Sequence, residues 1–142
     1  MVRRRKYYPP APKEDAVQIA GADLLNKLAG SPLRPRFGWF HVGNGEYRTK
    51  IDGAKLKAMG LLPGVWDIIL VGQGGIFYFI EMKRPTPTGE LRKPIENKLT
   101  DDQVKFRTML IFLGVPASHF VVVDNVMDLG RAVTKWGLAN VR

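Results

Sequence analysis

Two strongly apolar stretches, Val65-Trp66-Asp67-Ile68-Ile69-Leu70-Val71 and Ile76-Phe77-Tyr78-Phe79-Ile80-Glu81-Met82-Lys83, are separated only by Gly72-Gln73-Gly74-Gly75. Rich in β-branched and aromatic residues and split by a glycine-rich turn, they read as a β-hairpin. Their near-continuous apolarity predicts a sheet covered on both faces, with helices as the cover. The exceptions inside them are Asp67, Glu81 and Lys83, and burying a carboxylate is costly unless something compensates it.

Around the hairpin, periodicity sets the other elements. Apolar positions Val17, Ala20, Leu24 and Leu28 predict a helix over Glu14 to Leu28, ended by Gly30-Ser31-Pro32. Phe37 to Val42 reads as a short aromatic strand, and Asp52 to Met59 as a short helix stopped by Gly60. Thr100 with Gln103 three residues on is a capping-box pattern, opening a helix that Gly114 stops. Phe120 to Val123 is a strand and Val126 to Trp136 a closing helix, while Arg84 to Lys98, with three prolines, is a long loop. The order predicts an α/β fold, a small mixed sheet flanked by helices: the hairpin supplies an antiparallel pair and the crossover through the Thr100 helix a parallel one.

At 142 residues the chain fits one domain, expected over 13–142 after a basic, proline-terminated arm at 1–12. The arm has no apolar run behind its positive start and so does not read as a secretory signal. No apolar stretch approaches the roughly 20 residues of a membrane helix. Without cysteine, disulfides, thiolate zinc sites and cysteine nucleophiles are excluded, and a reducing cytosol is permitted. With 22 Lys+Arg against 13 Asp+Glu, the formal charge of +9 favours a polyanionic partner, nucleic acid first.

Alternation in the second strand puts Phe77, Phe79, Glu81 and Lys83 on one face, and hairpin pairing brings Asp67 opposite Glu81. Two carboxylates and a lysine at one sheet edge can hold Mg²⁺ or Mn²⁺ and act on a phosphodiester; the same residues can equally form a salt-bridged cluster that only sets register. The tripeptide Glu-x-Lys is itself uninformative, for Glu96-Asn97-Lys98 repeats it in a polar loop after Pro94. Context separates the two copies. His41 and His119, the only histidines, read as structural.

From about Glu14 to Gly114 the chain resembles a stand-alone VRR-NUC domain of the PD-(D/E)XK nuclease superfamily, of phage or bacterial type. The residues that carry the resemblance are Glu14 and Gln18 on the first helix, His41-Val42-Gly43-Asn44-Gly45, the run from Gly53 to Gly60 leading into Pro63-Gly64-Val65-x-Asp67, then Glu81-Met82-Lys83, and Leu99-Thr100-x-x-Gln103. The resemblance implies a restriction-endonuclease-like αβββαβ core. It implies that Glu14, Asp67, Glu81 and the Met82 carbonyl face Mg²⁺ or Mn²⁺, that Lys83 assists the attacking water, and that Gln103 lines the site. It implies further a DNA endonuclease acting on branched DNA such as Holliday junctions, a homodimer, and the cytoplasm of a bacterium or phage-infected host. Trp66 stands where the family carries proline, which bears on local backbone shape.

Arg48, Lys50, Lys55 and Lys57 before the hairpin, and Arg84, Arg92, Lys93 and Lys98 after it, are candidate phosphate contacts. A non-catalytic nucleic-acid binder and an RNA-directed nuclease are the alternatives.

Overall fold

Four strands form one mixed sheet in the order β1 (Gly38–His41), β2 (Ile68–Gly72), β3 (Ile76–Met82), β4 (Phe120–Val123). The computed structural model describes residues 13–43 and 50–139, and the arm expected at 1–12 lies outside them. β1 and β3 run antiparallel to β2, and β4 runs parallel to β3. Among the described residues four α-helices flank the sheet: α1 (Glu14–Ala29), α2 (Lys50–Ala58), α3 (Asp101–Phe112) and α4 (Val126–Lys135).

Both faces of the sheet are covered, as the apolar strands require. On one face Ile68, Leu70, Ile80 and Met82 are fully buried with Leu25 of α1 and Leu129 and Val133 of α4. On the other, Phe79 and Val122 pack with Trp66 and with Phe106 of α3. The Phe79 and Phe106 rings meet edge to face, 5.8 Å between centroids. Adjacent β3 residues feed different cores: Ile80 and Met82 go to α1 and α4, while Phe79 and Glu81 turn toward α3.

The hairpin forms over the expected glycines, with Gly74 and Gly75 at φ 78° and 71° inside a 3-10 turn. β2 is shorter at its start than the apolar run predicts, beginning at Ile68 rather than Val65. The reason is local. The Asp67 N–H donates to the Glu81 carboxylate instead of a strand carbonyl, so the antiparallel ladder stops there. At the same end of the sheet, on the far side of β3, Lys83 N–H still donates to Val123 O (2.8 Å), carrying the β3–β4 ladder one residue past β3.

α3 starts in the capping box that its sequence suggests: Gln103 N–H donates to Thr100 Oγ1 (3.2 Å) and Thr100 N–H to Gln103 Oε1 (3.0 Å). α4 is capped by Asn125, which accepts from Asp128 N–H at 2.8 Å, a cap the composition alone leaves unmarked.

Candidate active site

Asp67 and Glu81 meet where the pairing of Ile68 with Ile80 puts them, one step beyond the last β2–β3 pair. The Asp67 N–H donates to Glu81 Oε2 (3.0 Å), and the Met82 N–H donates to Asp67 Oδ2 (3.1 Å). The two carboxylates are thus held by the backbone of each other's strand, an arrangement that fixes both without long flexible contacts. The Met82 side chain is buried in the opposite core, so only its backbone takes part.

Glu81 is 2% exposed. Its other oxygen accepts from Gln103 Nε2 at 2.7 Å and lies 3.5 Å from Lys83 Nζ. Lys83 Nζ in turn donates to Gln103 Oε1 at 2.9 Å, the same oxygen that takes the Thr100 N–H. One carboxamide therefore caps α3, holds the lysine and orients the glutamate. This side chain closes the end of β3 and the start of α3, some twenty residues apart in sequence, into one cluster.

Burial, reinforced by the charge of Asp67, pushes the Glu81 carboxyl up to about 8 from its ordinary 4.5. Burial also raises Asp67, opposed by the hydrogen bond from Met82. Two acids that resist ionising side by side have the electrostatics of a site awaiting a cation, and their donors, all oxygen, suit a hard divalent ion. Among the described residues no group of three or more His, Cys, Asp or Glu side chains is arranged to hold a metal. Glu14 opens α1, and its side chain lies outside what is described, so its expected place in this set is neither met nor refused.

A cleft of about 350 Å³ opens on the cluster, with Asp67, Gln103 and Lys57 in its wall. A second groove, of about 490 Å³, begins at Lys83 and is lined by Arg84, Lys93 and Lys98. The Lys83–Gln103 hydrogen bond joins the two openings. Of the expected basic contacts, Lys57 borders the cleft together with Gly53, four residues earlier on α2; Lys55 is exposed but projects from another face of that helix. Arg48 and the side chain of Lys50 lie outside the described residues. The Lys98 ammonium points inward, donating to Arg84 O at 2.6 Å and lying 3.7 Å from Asp124 Oδ2. Arg92 reaches the same carboxylate at 3.8 Å.

The second Glu-x-Lys copy has no part in the cluster. Residues 95–98 form a 3-10 turn, and Glu96 pairs with Arg107 at 2.7 Å on the surface of α3.

Three residues do more than their sequence context suggests. Asp124 is 5% exposed directly after β4, and its sequence signal is the one Asp67 and Glu81 carry, an acid at the edge of an apolar strand. His41, read as structural, does structural work at the site: its Nδ1 lies 3.0 Å from Asp67 O, which also accepts the Val42 N–H at 2.6 Å. The carbonyl has only lone pairs to offer, so Nδ1 carries the proton. Trp66 is fully buried and donates from Nε1 to Gln103 O at 3.1 Å, tying the residue before Asp67 to α3.

Gly64 completes the junction. Its φ of 82° is left-handed, and a Cβ there would overlap the Asp102 carbonyl and lie 2.7 Å from Gln103 N. The turn into Asp67 therefore sits directly against the first turn of α3. No helix is long and apolar enough to cross a membrane among the described residues. No protein-family model, curated protein or solved structure matches the chain.

Proposed function

We propose that the chain is a divalent-metal-dependent DNA endonuclease. The observation that carries the reading is the convergence of two carboxylates, one of them fully buried, with a lysine at the mouth of a cleft in a protein of charge +9. Buried acids of raised pKa beside a cation are a recurrent mark of chemical sites, and a basic surface is what a phosphate backbone requires.

The reaction is hydrolysis. A water oxygen forms a bond to phosphorus, the bond to one bridging oxygen breaks, and the departing alkoxide takes up a proton. Mg²⁺ or Mn²⁺, when bound by Asp67 and Glu81, supplies charge neutralisation at the phosphate and acidifies water. Lys83, steered by Gln103 Oε1, orients the attacking water and offsets charge gathering on phosphorus. Gln103 keeps Glu81 in place through its Nε2. Lys57 borders the cleft where a phosphate would enter.

The mixed α/β sheet, with the acids on adjacent strand ends, agrees with the resemblance to a restriction-endonuclease-like core. By the same resemblance, branched DNA is the proposed substrate and a homodimer the acting form, since paired cuts across a junction need two sites. An apolar groove of about 550 Å³ between α1 and α4, with Met127 exposed at its edge, is surface available for self-association.

A non-catalytic binder remains the second reading, favoured by one observation: both Glu81 oxygens are already engaged by N–H donors within the protein. The test is cleavage of plasmid, single-stranded, flap and four-way-junction DNA, with RNA alongside, in Mg²⁺, Mn²⁺ or EDTA. Metal-dependent cutting of the junction above the other substrates is the expected result. Binding without cutting in either metal sinks the nuclease reading in favour of the binder.

A further inference from the structure

Asp124 follows β4 directly, and at 5% exposed its carboxylate would be costly to bury alone. It is compensated by Lys98 at 3.7 Å, Arg92 at 3.8 Å and Asn125 Nδ2, which donates to Oδ1 at 2.9 Å. Both cations come from the segment 84–98 that joins β3 to α3. Lys98 also donates to Arg84 O, so the last residues of the segment are pinned to its first over the end of the sheet.

The pinning encloses the groove that begins at Lys83, with Arg84 and Lys93 in its wall. Pairing of Glu81 with Val122 and Met82 with Val123 sets Asp124 beside Lys83, one strand from the candidate carboxylates. Arg92 is exposed and Lys98 half-buried, and ion pairs that reach solvent add little stability, so what they supply is a fixed path for the loop.

We infer that Asp124 is a positioning residue for nucleic-acid binding: through Lys98 and Arg92 it holds segment 84–98 so that the groove of Lys83, Arg84 and Lys93 receives a backbone phosphate flanking the one cut at Asp67 and Glu81. The inference rests on the nuclease reading for the place of the cut, and not for the binding. Charge alone makes the opposite forecast for Asp124, because removing an acid from a basic surface strengthens attraction for phosphate.

The experiment is equilibrium binding of a short labelled DNA duplex to the full chain in EDTA, across a series of salt concentrations, with folding of each variant checked by circular dichroism. Asp124→Asn is expected to weaken binding about fivefold and to lower the salt slope. Lys98→Met should do the same, and the double variant should bind no more weakly than either single one, since both break one tie. Lys93→Met, a surface change that keeps the test alive if Asp124→Asn does not fold, should weaken binding about threefold and reduce the slope by about one. Binding by folded Asp124→Asn as tight as wild type or tighter overturns the inference, as does an unchanged Lys93→Met. Cleavage measured in parallel separates the two claims. The expected variant pattern without cutting in metal supports the groove and defeats the nuclease reading; normal cutting with unaltered binding by the variants defeats the groove alone. No DNA binding by the wild-type chain overturns both.

Discussion

Gln103 Nε2 lies 2.7 Å from Glu81 Oε1, joining the first turn of α3 to the end of β3. The same residue forms half of the α3 capping box, so helix initiation and site geometry share one side chain. This makes two neighbouring substitutions separable. Thr100→Ala removes the hydroxyl that accepts Gln103 N–H and should cost about 1 kcal/mol of stability, measured by urea unfolding, with cleavage falling little. Gln103→Leu should cost a similar amount and lower the cleavage rate about a hundredfold, because Lys83 and Glu81 both lose their partner.

Stability of the metal-free protein should depend on pH with a definite sign. Glu81 has an ordinary value of 4.5 and is raised to about 8 in the fold, so between these values the native state keeps a proton that the unfolded chain has released. Its contribution is fully present below 4.5 and is lost as pH rises toward 8. The thermal midpoint in EDTA is therefore expected to fall across this window. Asp67→Asn removes one of the causes of the raised value and should shrink the fall. Saturating Mn²⁺ should counter it, since ligation requires the ionised carboxylates and strengthens as they deprotonate. A midpoint that climbs steadily across the window in EDTA contradicts the burial argument.

Gly64→Ala tests the junction between the turn and α3. The left-handed φ of 82° and the overlap with the Asp102 carbonyl both act against a side chain, and together should cost about 2–4 kcal/mol. Cleavage should drop as well, because relief of the overlap must move either Asp67's strand or the turn that carries Gln103. An alanine variant with wild-type urea midpoint and rate would show that the two segments are not in contact.

Trp66 offers a graded pair. Trp66→Phe keeps most of the packing against Phe120, whose ring lies 5.3 Å away edge to face, but loses the bond to Gln103 O; about 1 kcal/mol is expected from unfolding. Trp66→Ala empties a fully buried position and should cost about 3–5 kcal/mol.

The parts of this fold that were legible in the sequence are those where local chemistry and burial agree. The glycine turn at 72–75, the alternation that sends Glu81 and Phe79 one way and Ile80 and Met82 the other, and the Thr100 capping box each have a short-range cause, and each is present. The meeting of Asp67 with Glu81 was legible too, because hairpin register follows from the turn. What was not legible depends on distant partners. The role of Trp66 reflects a carbonyl on α3, and the inward turn of Lys98 reflects Asp124 more than twenty residues on. No window of sequence holds both members of these pairs.

The most direct test is nicking of supercoiled plasmid by the purified chain in Mn²⁺, in EDTA, and in Mn²⁺ with Glu81→Ala. The account predicts nicking by wild type in Mn²⁺ only, with the loss on substitution at least a thousandfold, on the order expected for removing a carboxylate that holds the metal. Nicking that persists in EDTA, or that survives Glu81→Ala at the wild-type rate, would contradict it.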